Sequence, residues 1–80
     1  MPRIKIKWMK KPKVAWGWSS PTLNTIYLDK NMEEKTLMQV AIHESLHQLF
    51  PYLDENAVHG AEKSIADVLW RIGFRLKEDD

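Results

Sequence analysis

The chain has 80 residues, with 12 Lys or Arg against 11 Asp or Glu, a formal net charge of +1 and no cysteine. This length supports at most one domain, with a core small enough that a metal ion or self-association commonly reinforces it. Disulfides and thiolate zinc sites are excluded, and the near-neutral charge gives no overall electrostatic case for nucleic acid or an anionic membrane.

Near the N-terminus, Arg3-Ile4-Lys5-Ile6-Lys7-Trp8 alternates polar and apolar residues. Period two predicts a half-buried strand with Ile4, Ile6 and Trp8 facing inward. Arg3, Lys5, Lys7, Lys10, Lys11 and Lys13 make this region basic, while Glu78, Asp79 and Asp80 make the other end acidic. The basic cluster reads as a solvated strand face, with weak phosphate binding as the lesser alternative. Lys11-Pro12 interrupts the pattern. Val14 to Trp18 reads as a second strand, Ser19-Ser20-Pro21 as a turn, and Thr25 to Leu28 as a third strand rich in β-branched and aromatic residues. The four tryptophans, Trp8, Trp16, Trp18 and Trp70, are expected in the core or at its rim.

The period then changes. Leu37, Met38, Ala41, Ile42, Ser45, Leu46 and Leu49 recur at spacings of three and four, which predicts a helix over 32–50. Glu33 and Glu34 suit its first turn, and Pro51 ends it. Asp54 is a candidate N-cap for a second helix over 54–74, with Val58, Ala61, Ile65, Val68, Leu69 and Ile72 on one face and Gly73 at its end. Residues 1–30 are thus strand-rich and the remainder helical. The expected architecture is a single α+β domain over 1–80, a small three-stranded antiparallel sheet followed by an antiparallel two-helix hairpin. No apolar run approaches a membrane span, and no apolar stretch of a signal peptide follows the basic N-terminus. A cytoplasmic protein with no membrane and no nucleic-acid partner is expected, and the lack of cysteine fits a reducing compartment.

The first helix carries His43-Glu44-Ser45-Leu46-His47. Histidines four residues apart lie on one face of a helix, so two imidazole nitrogens can reach one zinc ion at about 2.0–2.1 Å. Glu44 points to the side of that pair, where it can take a proton from an attacking water and pass it to a leaving group. This is the chemistry of the His-Glu-x-x-His pattern. A catalytic zinc site needs a third protein ligand and an open position. Asp54, Glu55, His59 and Glu62 are the candidates. Counting outward from a turn near Tyr52, the residues level with His43 and His47 fall at about 57–62, which favours Glu62 or His59. Each also has an ordinary role: Asp54 as a cap, Glu55 as a first-turn charge, Glu62 as the partner of a lysine, and His59 as an exposed side chain.

The motif and its surroundings resemble the gluzincin-like small metallopeptidases. They are similar to the short His-Glu-x-x-His proteins encoded by tailed phages and, more distantly, to the ImmA/IrrE-like and SprT-like families. The likeness lies in Thr25-Ile26-Tyr27-Leu28-Asp29, Ile42-His43-Glu44-Ser45-Leu46-His47, Leu53-Asp54-Glu55-Asn56-Ala57-Val58 and Leu69-Trp70-Arg71-Ile72-Gly73-Phe74-Arg75. It implies a zincin-like fold in which the strand before the active-site helix, here Thr25 to Leu28, edges the cleft and pairs with substrate backbone. It also implies His43 and His47 as zinc ligands, Glu44 as general base and Glu55 as third ligand, with a peptide or protein as substrate. His59-Gly60 faintly resembles the third-ligand motif of the SprT-like proteins. With 80 residues, no extra subdomain of the kind with which the larger families wall off a cleft is expected here. Two other readings remain beside the hydrolase: a binding module that zinc only stabilises, and a metal-free phage accessory protein that binds a partner through its basic strand.

Overall fold

A computed structural model describes residues 3–9 and 17–77; the side chain of Trp18 is not described. The elements in chain order are β1 (Lys5–Met9), β2 (Gly17–Ser20), β3 (Thr25–Asp29), α1 (Glu34–Leu49) and α2 (Glu55–Arg71). Strands precede helices, so the chain is α+β as the hydropathy periods imply. Val14, Ala15, Trp16 and the Lys11-Pro12 break lie outside the described residues, as do Lys10, Lys13 and residues 78–80. Among the described residues, no helix is long and apolar enough to cross a membrane.

The sheet differs from the expected one. It is mixed, with strand order β1-β3-β2. β2 and β3 form an antiparallel hairpin in which Trp18 pairs with Tyr27, whereas β1 runs parallel to β3 with Lys5 opposite Thr25. The all-antiparallel expectation, drawn from strands preceding helices, fails at β1, because β3 lies between the other two strands and β1 runs parallel to it. Its own residues explain that position: Thr25, Ile26, Leu28 and Asp29 are all buried, the near-continuous burial of a central strand. Asn24 sets the register. It turns the hairpin corner at φ 51°. Its carbonyl accepts from the Lys5 N–H at 2.9 Å, and its side-chain amide donates to the Arg3 carbonyl at 2.8 Å. The start of β1 is thereby fastened beside the start of β3. Asn tolerates this left-handed conformation better than most residues.

The core lies between β3 and α1. Ile26, Leu28 and Leu37 are buried, with Ile4, Met32, Val40 and Ala41 packed around them. Ile6 and Trp8, expected inside, are 57% and 45% exposed. β1 is an edge strand with no helix against it, so period two alone overstated its burial. Ile65 and Val68 of α2 and Ile72 at its C-cap are likewise exposed; of the face expected to be apolar Val58 is buried, and Glu62 and Ala66 are buried beside it.

The helix ends are set locally. Phe50 caps α1, donating its N–H to the Leu46 carbonyl at 2.8 Å, and Pro51 follows. Asp54 caps α2, its Oδ1 accepting from the Ala57 N–H at 2.8 Å. At the far end Gly73 adopts φ 104°, and the Phe74 N–H returns to the Leu69 carbonyl at 3.0 Å. Residues 50–54 are so short a link that α2 folds back along α1, which brings the faces of the two helices together.

Candidate metal centre

His43 and His47 lie one turn apart on the face of α1 that meets α2. Their Nε2 atoms are 3.1 Å from one another. Glu55, the first residue of α2, reaches both: its Oε1 lies 2.9 Å from His43 Nε2 and 3.2 Å from His47 Nε2. These three atoms form a nearly equilateral triangle. Tetrahedral zinc with ligands at about 2.0–2.1 Å needs donor atoms about 3.3–3.4 Å apart. The observed edges are a few tenths of an ångström shorter, and the Glu55 side chain is 59% exposed and free to give way.

Glu62, one of the alternatives for the third ligand, meets the other side of the same ring. Its Oε1 accepts from His43 Nδ1 at 3.0 Å and from His59 Nδ1 at 2.9 Å. Glu62 is buried, and among the described ionisable residues only Asp29 and Glu44 share that burial. With Nδ1–H donated to Glu62, His43 would present Nε2 as the donor atom to an ion held beside Glu55, the outer-sphere arrangement that orients metal-binding histidines. His59 Nε2 lies 3.8 Å from Glu55 Oε1. One donor atom each from His43, Glu55 and His59 fall within 4.8 Å of one another, so this group too could hold a metal ion. The two groupings share His43 and Glu55. The edges with His47 are the tighter set and match a tetrahedral ion more closely. Asp54 stands apart, with its carboxylate engaged at the helix cap.

The hairpin count and the family resemblance pointed to different carboxylates, and the structure brings both to His43. Glu55 faces Nε2 and Glu62 faces Nδ1. Residue spacing predicts which level of a helix is near, but not which ring nitrogen a side chain meets.

Glu44, the residue after His43 on α1, is 8% exposed and lines the same cavity as His43. Burial pushes its carboxyl above the usual range, against the pull of His43 and His47, and the neighbouring Glu55 and Glu62 add to the rise. Glu55 is shifted the opposite way, held low chiefly by its hydrogen bond with His47. Three carboxylates thus lie among three imidazoles, a donor set that could hold a cation.

A cavity of about 430 Å³ opens beside Glu44, lined by Gly17, Val40, His43, Glu44, His59 and Glu62 among others. Gly17 is a position at this cavity that motif reading missed. A Cβ built there would lie 2.8 Å from Val40 Cγ1, 2.9 Å from the Tyr27 carbonyl oxygen and 3.4 Å from Glu44 Cγ. The missing side chain lets β2 close against α1 and leaves room for Glu44. The available signal was a glycine inside a strand pattern, between Trp16 and Trp18, which marks close approach of another group.

The strand expected to edge the cleft, Thr25 to Leu28, is paired on both sides, so it offers no free backbone to a substrate. The edge strand bordering the cavity is β2, through Gly17. Compared with known proteins, the chain matches no protein family, no curated protein and no solved structure.

Proposed function

We propose that the protein is a zinc-dependent hydrolase of the metallopeptidase kind, with His43, His47 and Glu55 as ligands and Glu44 as general base. The observation that carries this reading is the convergence of His43 Nε2, His47 Nε2 and Glu55 Oε1 to within 2.9–3.2 Å, beside a buried glutamate. The reading keeps the zincin-like fold, the likeness to short phage metallopeptidases and a cytoplasmic setting as parts of the proposal.

A zinc ion supplies Lewis acidity, which polarises a scissile carbonyl and acidifies water. The chain's own residues do the rest. Glu62 holds His43 with its Nε2 lone pair exposed. The Glu44 carboxylate takes a proton from the attacking water and delivers it to the leaving amine. Burial suits it to both halves of that transfer, because a raised pKa brings donor and acceptor forms closer in energy at neutral pH. An extended peptide finds its backbone partners along the outer edge of β2 rather than β3.

The test is Glu44→Gln. It is expected to retain stoichiometric zinc by metal analysis and to lose at least about 100-fold in cleavage of a mixed peptide library followed by mass spectrometry. Cleavage at the parent's rate refutes Glu44 as the base. The small core favours a second reading, a module that zinc merely stabilises, since Ile26, Leu28, Leu37, Val58 and Ala66 are the only buried apolar side chains among the described residues. Zinc-bound parent protein that leaves every peptide intact supports that second reading.

A further inference from the structure

His59 follows Glu55 by one helical turn and precedes Glu62 by three residues, which sets its ring between the two carboxylates. The Glu62 Oε1 that accepts from His43 Nδ1 also accepts from His59 Nδ1, at 3.0 and 2.9 Å. A carboxylate oxygen only accepts, so each ring donates from Nδ1. A neutral imidazole anchored in this way carries its lone pair on Nε2, and both Nε2 atoms face Glu55, at 2.9 Å for His43 and 3.8 Å for His59. The ring centroids of His43 and His59 are 4.8 Å apart. His59 therefore has the outer-sphere support of a ligand, from a buried carboxylate, in the same form as His43. Its side chain is nevertheless 55% exposed, and it lines the cavity beside Glu44. It is anchored through Nδ1, while its Nε2 makes only the longer contact with Glu55.

We propose that His59 is a fourth, releasable metal ligand. In the resting protein it takes the coordination position that hydrolysis needs open, and it gives up that position when a substrate fills the adjoining cavity. The proposal rests on the metal centre proposed above and adds its regulation. His59 serves here as a neutral Nε2 donor to the ion, and its Nδ1–H stays hydrogen-bonded to Glu62 throughout.

Cobalt(II) titration tests it, because the visible spectrum reports coordination directly and needs no substrate. The parent, His59→Ala, His59→Gln and His43→Ala are titrated, and azide is then added to each cobalt-loaded protein. The parent is expected to bind one equivalent, with a spectrum that azide leaves unchanged. His59→Ala and His59→Gln are expected to bind about tenfold more weakly, and their spectra to shift with azide as an exchangeable position opens. The glutamine variant retains an amide donor for Glu62, which separates loss of a ligand from loss of the Glu62 contact. An azide-sensitive parent, or affinity within threefold of the parent in both His59 variants, overturns the fourth ligand. The metal centre itself fails separately: a parent that binds no cobalt, or a His43→Ala variant that binds as well as the parent, refutes the underlying reading.

Discussion

Two histidine nitrogens meet on one oxygen, Glu62 Oε1, and much of the site's geometry hangs on it. In Glu62→Ala both Nδ1–H groups lose their acceptor, and the Nε2 atoms are no longer aimed. Zinc affinity is expected to fall about 10–100-fold, measured by competition with a chromophoric chelator. Glu62→Gln restores part of that loss, because the amide oxygen still accepts from one ring. An affinity unchanged in the alanine variant removes the orienting role. At this scale the sequence was most legible where chemistry depends on local spacing. His43, Glu44 and His47 needed only the helical repeat. Glu62 was harder to place, because its role depends on the direction of a ring nitrogen across a helix pair.

Among the elements, β2 has the tightest constraint. The close approach at Gly17 includes a backbone carbonyl, that of Tyr27, which cannot rotate away as a side-chain tip can. Gly17→Ala is therefore expected to push β2 from α1 and cost about 1–3 kcal/mol. Thermal unfolding reads this as a drop of about 4–8 °C per kcal/mol. Gly60 is the control with the opposite sign. It sits inside α2 with nothing within 4 Å of an added Cβ, so Gly60→Ala is expected to stabilise by up to about 1 kcal/mol. Equal effects from the two substitutions refute the close approach at Gly17. The helices were readable to within a few residues because Pro51 and Asp54 punctuate them in sequence. The pairing of β1 was not, since side-chain alternation is the same in parallel and antiparallel strands. What decides its direction is Asn24, through contacts with Arg3 and Lys5 that lie about twenty residues away along the chain.

At the scale of the molecule, few apolar side chains among the described residues are buried, and a bound ion should weigh heavily in the balance. Zinc present at about 100 times its dissociation constant adds about 2.7 kcal/mol by mass action. The unfolding midpoint should rise by about 10–20 °C and return on addition of a chelator. A midpoint indifferent to both rules out specific binding to the folded chain. The candidate donors are also close along the backbone: eight positions separate His47 from Glu55, and nineteen separate His43 from Glu62. Closing such short loops costs little chain entropy, and segments of about ten residues meet within about 10–100 ns. The pairing of β1 with β3 joins residues twenty positions apart, Lys5 with Thr25, a span like that between His43 and Glu62 and longer than that between His47 and Glu55. His47 and Glu55, the nearest pair along the chain, can therefore meet while β1 is still finding β3, so that an ion captured early would guide the rest of the fold as well as hold it once complete.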